Sequence, residues 1–277
     1  MSAERLTHGA ERALRSAVKA GAGLADLVRR PAAGVVILLY HRVGARSHTS
    51  VDLPTALFEE QMAALAGGHE VVSLDNALRT LRGERVGPCV AVTFDDGTSD
   101  LVELALPILV RHQIPSTWYV ATEFVDEQRP FADDGTPLTW AALRDATSTG
   151  LVSVGSHTHR HRLLDRATEA EIDDELTRSI ALIADNLGQP PLDFAYPKAL
   201  AGSPAAERAV REHFRSAALA GTRANVVGRT DPYRLARSPI QVSDRRRWFD
   251  RKVGGGMGLE DDLRRLVNRR RYVGAAT

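Results

Sequence analysis

The 277-residue chain has the composition of a folded globular protein, with 43% hydrophobic residues, 26% charged residues and a mean hydropathy of -0.21. Disordered chains combine low hydrophobicity with high net charge, so that class is excluded. The 36 Lys and Arg almost balance the 35 Asp and Glu, so we expect no nucleic-acid partner. The length suits two average domains or one large α/β barrel.

The N-terminal region and the apolar runs indicate whether we expect the protein to cross a membrane or to be secreted. The longest almost unbroken apolar run, residues 34–40, is far shorter than the roughly 20 residues that span a bilayer. Residues 1–30 contain no continuous apolar segment of the kind found in secretory signals, which favours a cytoplasmic location. The lone cysteine, Cys89, begins an apolar run and is predicted to be a buried structural thiol.

Both ends of the chain are basic. Residues 1–30 hold six Lys or Arg against three acids, and residues 245–271 hold ten against four. We therefore predict an N-terminal basic helical extension (1–30), a central domain (31–244) and a basic C-terminal tail (245–277). A solvated helix is the favoured interpretation of that tail. Peripheral contact with an anionic membrane or an acidic partner is the alternative, because each Lys or Arg near such a membrane contributes about 1 kcal/mol.

Short apolar runs alternate with amphipathic segments along the central domain. Six runs are predicted to be buried strands: Gly34–Tyr40, Cys89–Phe94, Thr117–Val120, Leu151–Val154, Phe194–Tyr196 and Ser216–Leu219. Six segments have helical spacing: Pro54–Ala66, Leu74–Leu81, Leu101–Arg111, Thr139–Ala146, Thr168–Leu187 and Pro204–His213. Thr168 with Glu171 is a capping-box pattern. This alternation predicts a parallel sheet covered by helices, either open or closed into a barrel.

Functional side chains of α/β folds collect where the strands end. Asp95 and Asp96 follow one predicted strand and precede Gly97. Neighbouring side chains on an extended chain point in different directions, so one carboxylate can face a metal ion while the other faces the reacting water. In the alternative interpretation the pair caps a helix that begins near Ser99.

Three histidines, His157, His159 and His161, fall within five residues after another predicted strand. Neutral imidazole is a common zinc ligand. His157 and His161 are four residues apart, so on a helical turn both rings would project to one face and converge on one ion. His159 would point elsewhere, either supporting the ligands or facing solvent. The alternative is a polar loop that holds no metal.

Two further strand ends carry weaker signals. Pro197 fixes the backbone between Tyr196 and Lys198, although most segments of this kind are simple strand terminators. His41 follows the first predicted strand and fits an active-site wall and a structural histidine equally well.

Three segments, in this order, resemble the first three motifs of the polysaccharide deacetylase family, the NodB-homology carbohydrate esterases: Thr93–Gly97, Gly155–His161 and Phe194–Pro197. Leu39–Val43 and Leu138–Trp140 are similar to the exopolysaccharide deacetylase branch. The resemblance covers residues 34–240. It implies a distorted (β/α) barrel of the NodB type, a divalent metal at its mouth, and hydrolysis of the N-acetyl group of an amino sugar.

The resemblance also implies residue roles. Asp96, His157 and His161 would bind the metal, for which Zn²⁺ is expected and Co²⁺ or Mn²⁺ are alternatives. Asp95 would be the general base. Three protein ligands leave zinc an open position for water, whose pKa can then fall from 15.7 toward about 7. A carboxylate beside the ion stays ionised and can accept the proton of that water.

Other positions would support this chemistry. Thr158 would help to hold the histidine loop, and the backbone N–H groups near Tyr196, Pro197 and Lys198 would provide an oxyanion donor. Many relatives carry an Arg in the third motif that contacts the catalytic aspartate. This chain has Ala195 there, so base positioning is expected to differ.

The chain also departs from the family at its C-terminal motifs. The Tyr-Gly that often follows the proline is replaced by Lys198–Ala199, and no Leu-x-His segment matches the motif that supplies a general acid. His41, His159 and Arg237 are unranked substitutes for that acid. The sequence therefore predicts a metal-dependent N-deacetylase of an N-acetylated glycan. The alternatives are a degenerate relative that binds glycan without turnover and a hydrolase of a non-sugar amide.

Overall fold

Short apolar runs of the sequence form the strands of a closed barrel. The computed structural model describes residues 18–26, 31–132 and 135–263. Within these residues, seven parallel strands close in the order β1-β4-β5-β6-β7-β8-β9. Their bounds are β1 Val35–Tyr40, β4 Cys89–Phe94, β5 Ser116–Val120, β6 Val152–Ser156, β7 Asp193–Ala195, β8 Ser216–Ala220 and β9 Leu235–Pro239. Strands β2 (Arg42–Val43) and β3 (Asp52–Leu53) form a separate pair. The predicted (β/α) barrel is confirmed.

Helices cover the outside of this barrel. They are α1 Thr55–Gly68, α2 Leu74–Leu81, α3 Leu106–His112, α4 Thr122–Glu127, α5 Trp140–Ser148, α6 Glu169–Leu187, α7 Pro204–His213 and α8 Arg246–Val253. A π-helical turn, Leu101–Ala105, leads into α3. The predicted capping box starts α6, where the Thr168 and Glu171 side chains each bond to the other residue's backbone N–H. The short helix α4 was not predicted, whereas α8 lies in the tail that was interpreted as a solvated helix.

Strand side chains alternate between the helical layer and the barrel interior. On β4, Val90, Val92 and Phe94 pack with the helices, whereas Cys89 and Ala91 belong to the interior cluster. Cys89 is a buried free thiol, as predicted. The interior is lined mainly by small or aliphatic residues, which leaves space for two large side chains, Tyr119 and Arg237.

Strand β9 is not among the six strands that the sequence predicts. Its residues Leu235–Pro239 include a buried arginine, a serine and a proline, so the segment lacks the apolar run by which the others were recognised. Pairing with β1 and β8 makes it a strand and closes the barrel. A charged side chain is stable inside because it has a charged partner there.

The two ends pack together on one side of the barrel. Residues 18–26 are helical, and the rest of the predicted extension, 1–17 and 27–30, lies outside the described residues. Phe249 and Val253 of α8 belong to the main core, so the inner face of this helix is not solvated. Residues 264–277 of the predicted tail lie outside the described residues, and the proposed domain division stays a prediction. Within the described ranges, no helix has the length and apolarity needed to cross a membrane.

Candidate metal and catalytic site

The carboxyl ends of β1, β4, β6 and β9 bring the candidate residues to one mouth of the barrel. Asp95 directly follows β4 and His157 directly follows β6. Asp95 continues the inward alternation of Ala91 and Thr93, so its carboxylate enters the barrel mouth. Closure of the sheet then places side chains from distant parts of the sequence side by side.

Asp96, His157 and His161 converge as the sequence predicts. One donor atom from each lies within 4.8 Å of the other two. The Asp96 Oδ1 is 3.7 Å from His157 Nε2 and 3.4 Å from His161 Nε2. Ligands of a tetrahedral zinc ion lie about 3.3 Å apart, so small side-chain movements would bring these donors into coordination. The His157 side chain is 2% exposed, whereas those of Asp96 and His161 are 24% and 17% exposed and form the open rim.

The protonation states suit a cation. His157 Nδ1 lies 2.7 Å from the carbonyl oxygen of Ala195, an arrangement in which Nδ1 donates a proton and Nε2 keeps its lone pair. Burial lowers the pKa of His157, despite the opposing charge of Asp95. Burial likewise lowers the pKa of His161 to about 3. Both imidazoles are therefore neutral near pH 7, as metal ligands must be.

The histidine loop, His157–His161, is irregular backbone and not the predicted helical turn. Thr158 and His161 have positive φ angles of 65° and 57°, which are uncommon outside glycine. These two residues reverse the chain and aim both ligand rings at Asp96. Thr158 contributes through its backbone, whose carbonyl accepts the Thr122 N–H at 3.3 Å. Its hydroxyl has no hydrogen-bond partner among the described residues, so the contact with Thr122 is made by the backbone alone.

The carboxylate of Asp95 forms a buried bidentate ion pair with Arg237. The two guanidinium nitrogens donate at 2.6 and 2.8 Å, and Arg237 is completely buried. Burial raises the pKa of Asp95, but Arg237 and His157 lower it more, so the group is ionised at neutral pH. This geometry leaves Asp95 beside the metal ligands, with its Oδ2 3.8 Å from His157 Nε2. The helix-capping interpretation of Asp95 is wrong, because its side chain enters the barrel.

From the sequence, Arg237 is one of three candidates for the general acid, together with His41 and His159. A guanidinium bound to Asp95 is not a proton donor, because it stays charged at all accessible pH values. Instead it takes the position that Ala195 leaves open, reaching the same carboxylate from β9. Its position could have been predicted from the strand pattern. Residues 235, 237 and 239 alternate with outward-facing residues, so Arg237 is a charged residue at an inward-facing position.

The structure also shows where the other two candidates for the general acid, His159 and His41, lie. His159 is buried and turned away from the ligands, with Nδ1 3.0 Å from the Thr122 hydroxyl, so it faces neither the site nor solvent. His41 faces the site. Burial raises the pKa of Asp96, whereas His161 and His41 lower it to about 2. His41 Nδ1 is buried and has no hydrogen-bond partner within the described ranges.

Only one of the predicted oxyanion donors remains available. The Tyr196 N–H donates to the Ala218 carbonyl at 3.1 Å, and Pro197 has no N–H. Lys198 adopts a positive φ of 53°, and no hydrogen bond is found for its N–H in the part of the chain that the structure describes. Of the predicted oxyanion donors, the Lys198 N–H is therefore the one that could donate to a substrate.

Comparison with known proteins gives a consistent family. Residues 82–215 match the sequence model of the polysaccharide deacetylase family. The poly-β-1,6-N-acetyl-D-glucosamine N-deacetylase of Staphylococcus aureus is 31% identical over 119 residues, which cover 40% of this chain and 40% of that protein. The chain thus spans about two fifths of the length of this curated relative.

Solved structures of other proteins have a similar fold. IcaB from Ammonifex degensii superposes with a TM-score of 0.69 at 25% identity, covering 77% of this chain and 94% of that one. The Streptococcus pyogenes deacetylase PplD has a TM-score of 0.70 at 21% identity, covering 80% and 99%, and this likeness is one of fold. The resemblance predicted from the motifs and the NodB-type barrel are confirmed.

Proposed function

We propose that the protein is a metal-dependent N-deacetylase of N-acetylated glycans, on the premise that residues 82–215 match the sequence model of the polysaccharide deacetylase family. The observation that carries the proposal is the juxtaposition of two features at one barrel mouth. Three donor atoms of Asp96, His157 and His161 converge, and the Arg237-bound carboxylate of Asp95 lies next to them. A metal ion that activates water and an ionised base that accepts its proton are together a means of hydrolysing an amide.

The donor set fits zinc. Two neutral imidazoles and one carboxylate make the three-ligand pattern of catalytic zinc sites, in which a position stays open. When bound there, the ion would activate water and polarise the acetamide carbonyl. Co²⁺ and Mn²⁺ are the alternative metals. Because Asp96 and His161 form the exposed rim, the substrate would approach from their side.

The remaining steps fall to residues of the chain itself. Asp95 accepts the proton of the attacking water, and Arg237 keeps its carboxylate in one orientation. The Lys198 N–H donates a hydrogen bond to the oxygen of the tetrahedral intermediate, a contribution of about 3 kcal/mol for one such donor. His41 gives a proton to the leaving nitrogen, so the products are a free amine and acetate.

The relatives support a glycan substrate. The S. aureus relative is named for N-deacetylation of poly-β-1,6-N-acetyl-D-glucosamine. We propose an N-acetylated amino sugar as the substrate class of this chain as well.

An acetate-release assay on N-acetylated chito-oligosaccharides tests the proposed function. We expect turnover that a chelator abolishes and added Zn²⁺ restores. Asp95→Asn should lower kcat by roughly 10²- to 10⁴-fold, and His157→Ala should also prevent zinc binding. His213→Ala, at an exposed histidine of α7, is the control and should retain full activity. Acetate release that survives the chelator and both variants would overturn the proposal.

A further inference from the structure

A fully buried carboxylate, Glu175 of α6, contacts the histidine loop between its two ligands. Its Oε2 accepts the backbone N–H of Arg160 at 2.7 Å, and its Oε1 accepts from the Arg160 guanidinium at 3.2 Å. Glu175 is 0% exposed. We propose that Glu175 is a positioning residue that holds the loop ready to bind the metal. This inference rests on the proposed metal site.

The loop needs an external hold because its conformation is unfavourable by itself. Thr158 is β-branched and has a positive φ, and His161 has one as well. Such conformations persist where the surroundings determine them. Without that hold, the two imidazoles would spend less time at the spacing that one ion requires, and metal affinity would fall.

Two helices hold the loop from opposite ends. At its start, the first turn of α4 donates backbone N–H groups from Thr122 and Glu123 to the carbonyls of Thr158 and His159, at 3.3 and 2.8 Å. At its end, Glu175 is the acceptor for the Arg160 N–H, one residue before the ligand His161. Removing Glu175 would leave that partly buried N–H without its acceptor and free the His161 end of the loop.

The charge of Glu175 is balanced locally. The Arg160 guanidinium also contacts Asp174 at 2.6 Å and Glu123 at 3.3 Å, so it links α4 to α6 across the loop. Asp174 is the matched control for Glu175. It lies beside Glu175 on the same helix and pairs with the same guanidinium, but it is 43% exposed, and its only contact with Arg160 in the described structure is through the side chain.

The test measures the Kd of the intact protein for Zn²⁺ by competition with a chromogenic chelator. Glu175→Met keeps the side-chain volume and removes both acceptor oxygens. We expect its Kd to rise roughly tenfold or more, the range found when residues that orient metal ligands are lost. Glu175→Gln keeps an oxygen for the Arg160 N–H, so its Kd should stay within about threefold of the unmodified protein. Asp174→Leu should change the Kd less than about twofold.

The unfolding temperature of each metal-free variant separates positioning from general stability. Should Glu175→Met not fold, Glu175→Asp replaces it, because the shorter side chain keeps the charge but withdraws the oxygen from the N–H, and the same rise in Kd is expected. Unchanged zinc affinity in the folded Met or Asp variant, or an equal loss in Asp174→Leu, would overturn the inference. Failure of the unmodified protein to bind zinc would instead contradict the proposed function.

Discussion

At the scale of single residues, the ion pair with Arg237 decides how Asp95, the proposed base, is held. Both side chains are almost completely removed from solvent, at 3% and 0% exposure. A buried carboxylate without a partner is strongly disfavoured in its charged form, so the guanidinium keeps Asp95 ionised as well as oriented. The arginine that the family motif would place at position 195 is thus replaced by one from another strand.

Replacing Arg237 with Met should therefore damage activity and stability together. We expect the free energy of unfolding to fall by roughly 3–5 kcal/mol, because one charge of a buried pair is left alone. Asp95→Asn/Arg237→Met should recover part of that loss but no activity. Urea unfolding and acetate release measure the two effects. A single Arg237→Met variant as stable and active as the unmodified protein would contradict this role.

At the scale of elements, close packing between β5 and β6 sets the position of His157. A Cβ at Gly155 would lie 2.5 Å from the Tyr119 ring and 2.8 Å from the Asp193 carbonyl oxygen. Only a glycine lets β6 pass this close, and His157 follows two residues later. The interior packing that admits Tyr119 therefore also fixes the position of His157, one of the proposed metal ligands.

Gly155→Ala should lower the free energy of unfolding by about 1–3 kcal/mol, the cost of forcing an extra group into a packed core. Gly67→Ala is the control. This residue lies in α1 with nothing within 4 Å of an added Cβ, so alanine should raise stability by up to about 1 kcal/mol. Chemical denaturation of the metal-free proteins measures both changes, and equal effects at the two glycines would contradict the packing argument.

At the scale of the whole molecule, a buried charge cluster ties the chain ends to the barrel. Asp244 lies between the ammonium groups of Lys19 and Lys252, and Glu260 lies within 4 Å of both. Lys252 also donates to the Pro239 carbonyl at the end of β9 at 2.8 Å. The terminal helices and the strand that carries Arg237 are therefore joined through one buried carboxylate.

Low pH should weaken the ion pairs of Asp244 with Lys19 and Lys252. Burial raises the pKa of Asp244, but Lys252 and Lys19 lower it more, so its folded-state pKa is below the usual value near 4. A carboxyl with a depressed pKa stabilises the fold above its unfolded pKa, and that contribution is lost as pH falls through the folded pKa. We expect Asp244→Asn to be less stable at pH 7 and to lose less stability below about pH 4. Urea midpoints between pH 7 and pH 3 test this, and parallel curves would contradict it.

The outer face of α8 offers a test of the proposed membrane contact. Arg245, Arg246 and Arg247 are exposed, whereas Phe249 and Val253 belong to the core, so truncation before this helix would damage the fold. Changing the three arginines to Gln should reduce flotation with anionic vesicles, and added salt should do the same. The control removes the same charge elsewhere on the surface: Arg79→Gln/Arg82→Gln/Arg208→Gln. Equal flotation of the two triple variants would contradict a specific basic surface.

The sequence by itself determined most of the barrel and the residues proposed as metal ligands and base. Asp95 and His157 directly follow strands with clear apolar patterns, and the resemblance of these motifs to the polysaccharide deacetylase family predicted that Asp96, His157 and His161 would meet. Four of the six predicted helices, α2, α5, α6 and α7, start at a Ser or Thr side chain that caps the first turn, and this interaction is also local.

Only the tertiary structure decided what surrounds those residues. Arg237 is 142 residues from Asp95, and the two meet because β1 pairs with β4 on one side and with β9 on the other. His41 reaches the same mouth through that closure. The conformation of the histidine loop likewise depends on α4 and on Glu175, which force positive φ angles that no local pattern indicates. Barrel closure and buried charge pairing join segments far apart in sequence, and their energies exist only once the chain is folded.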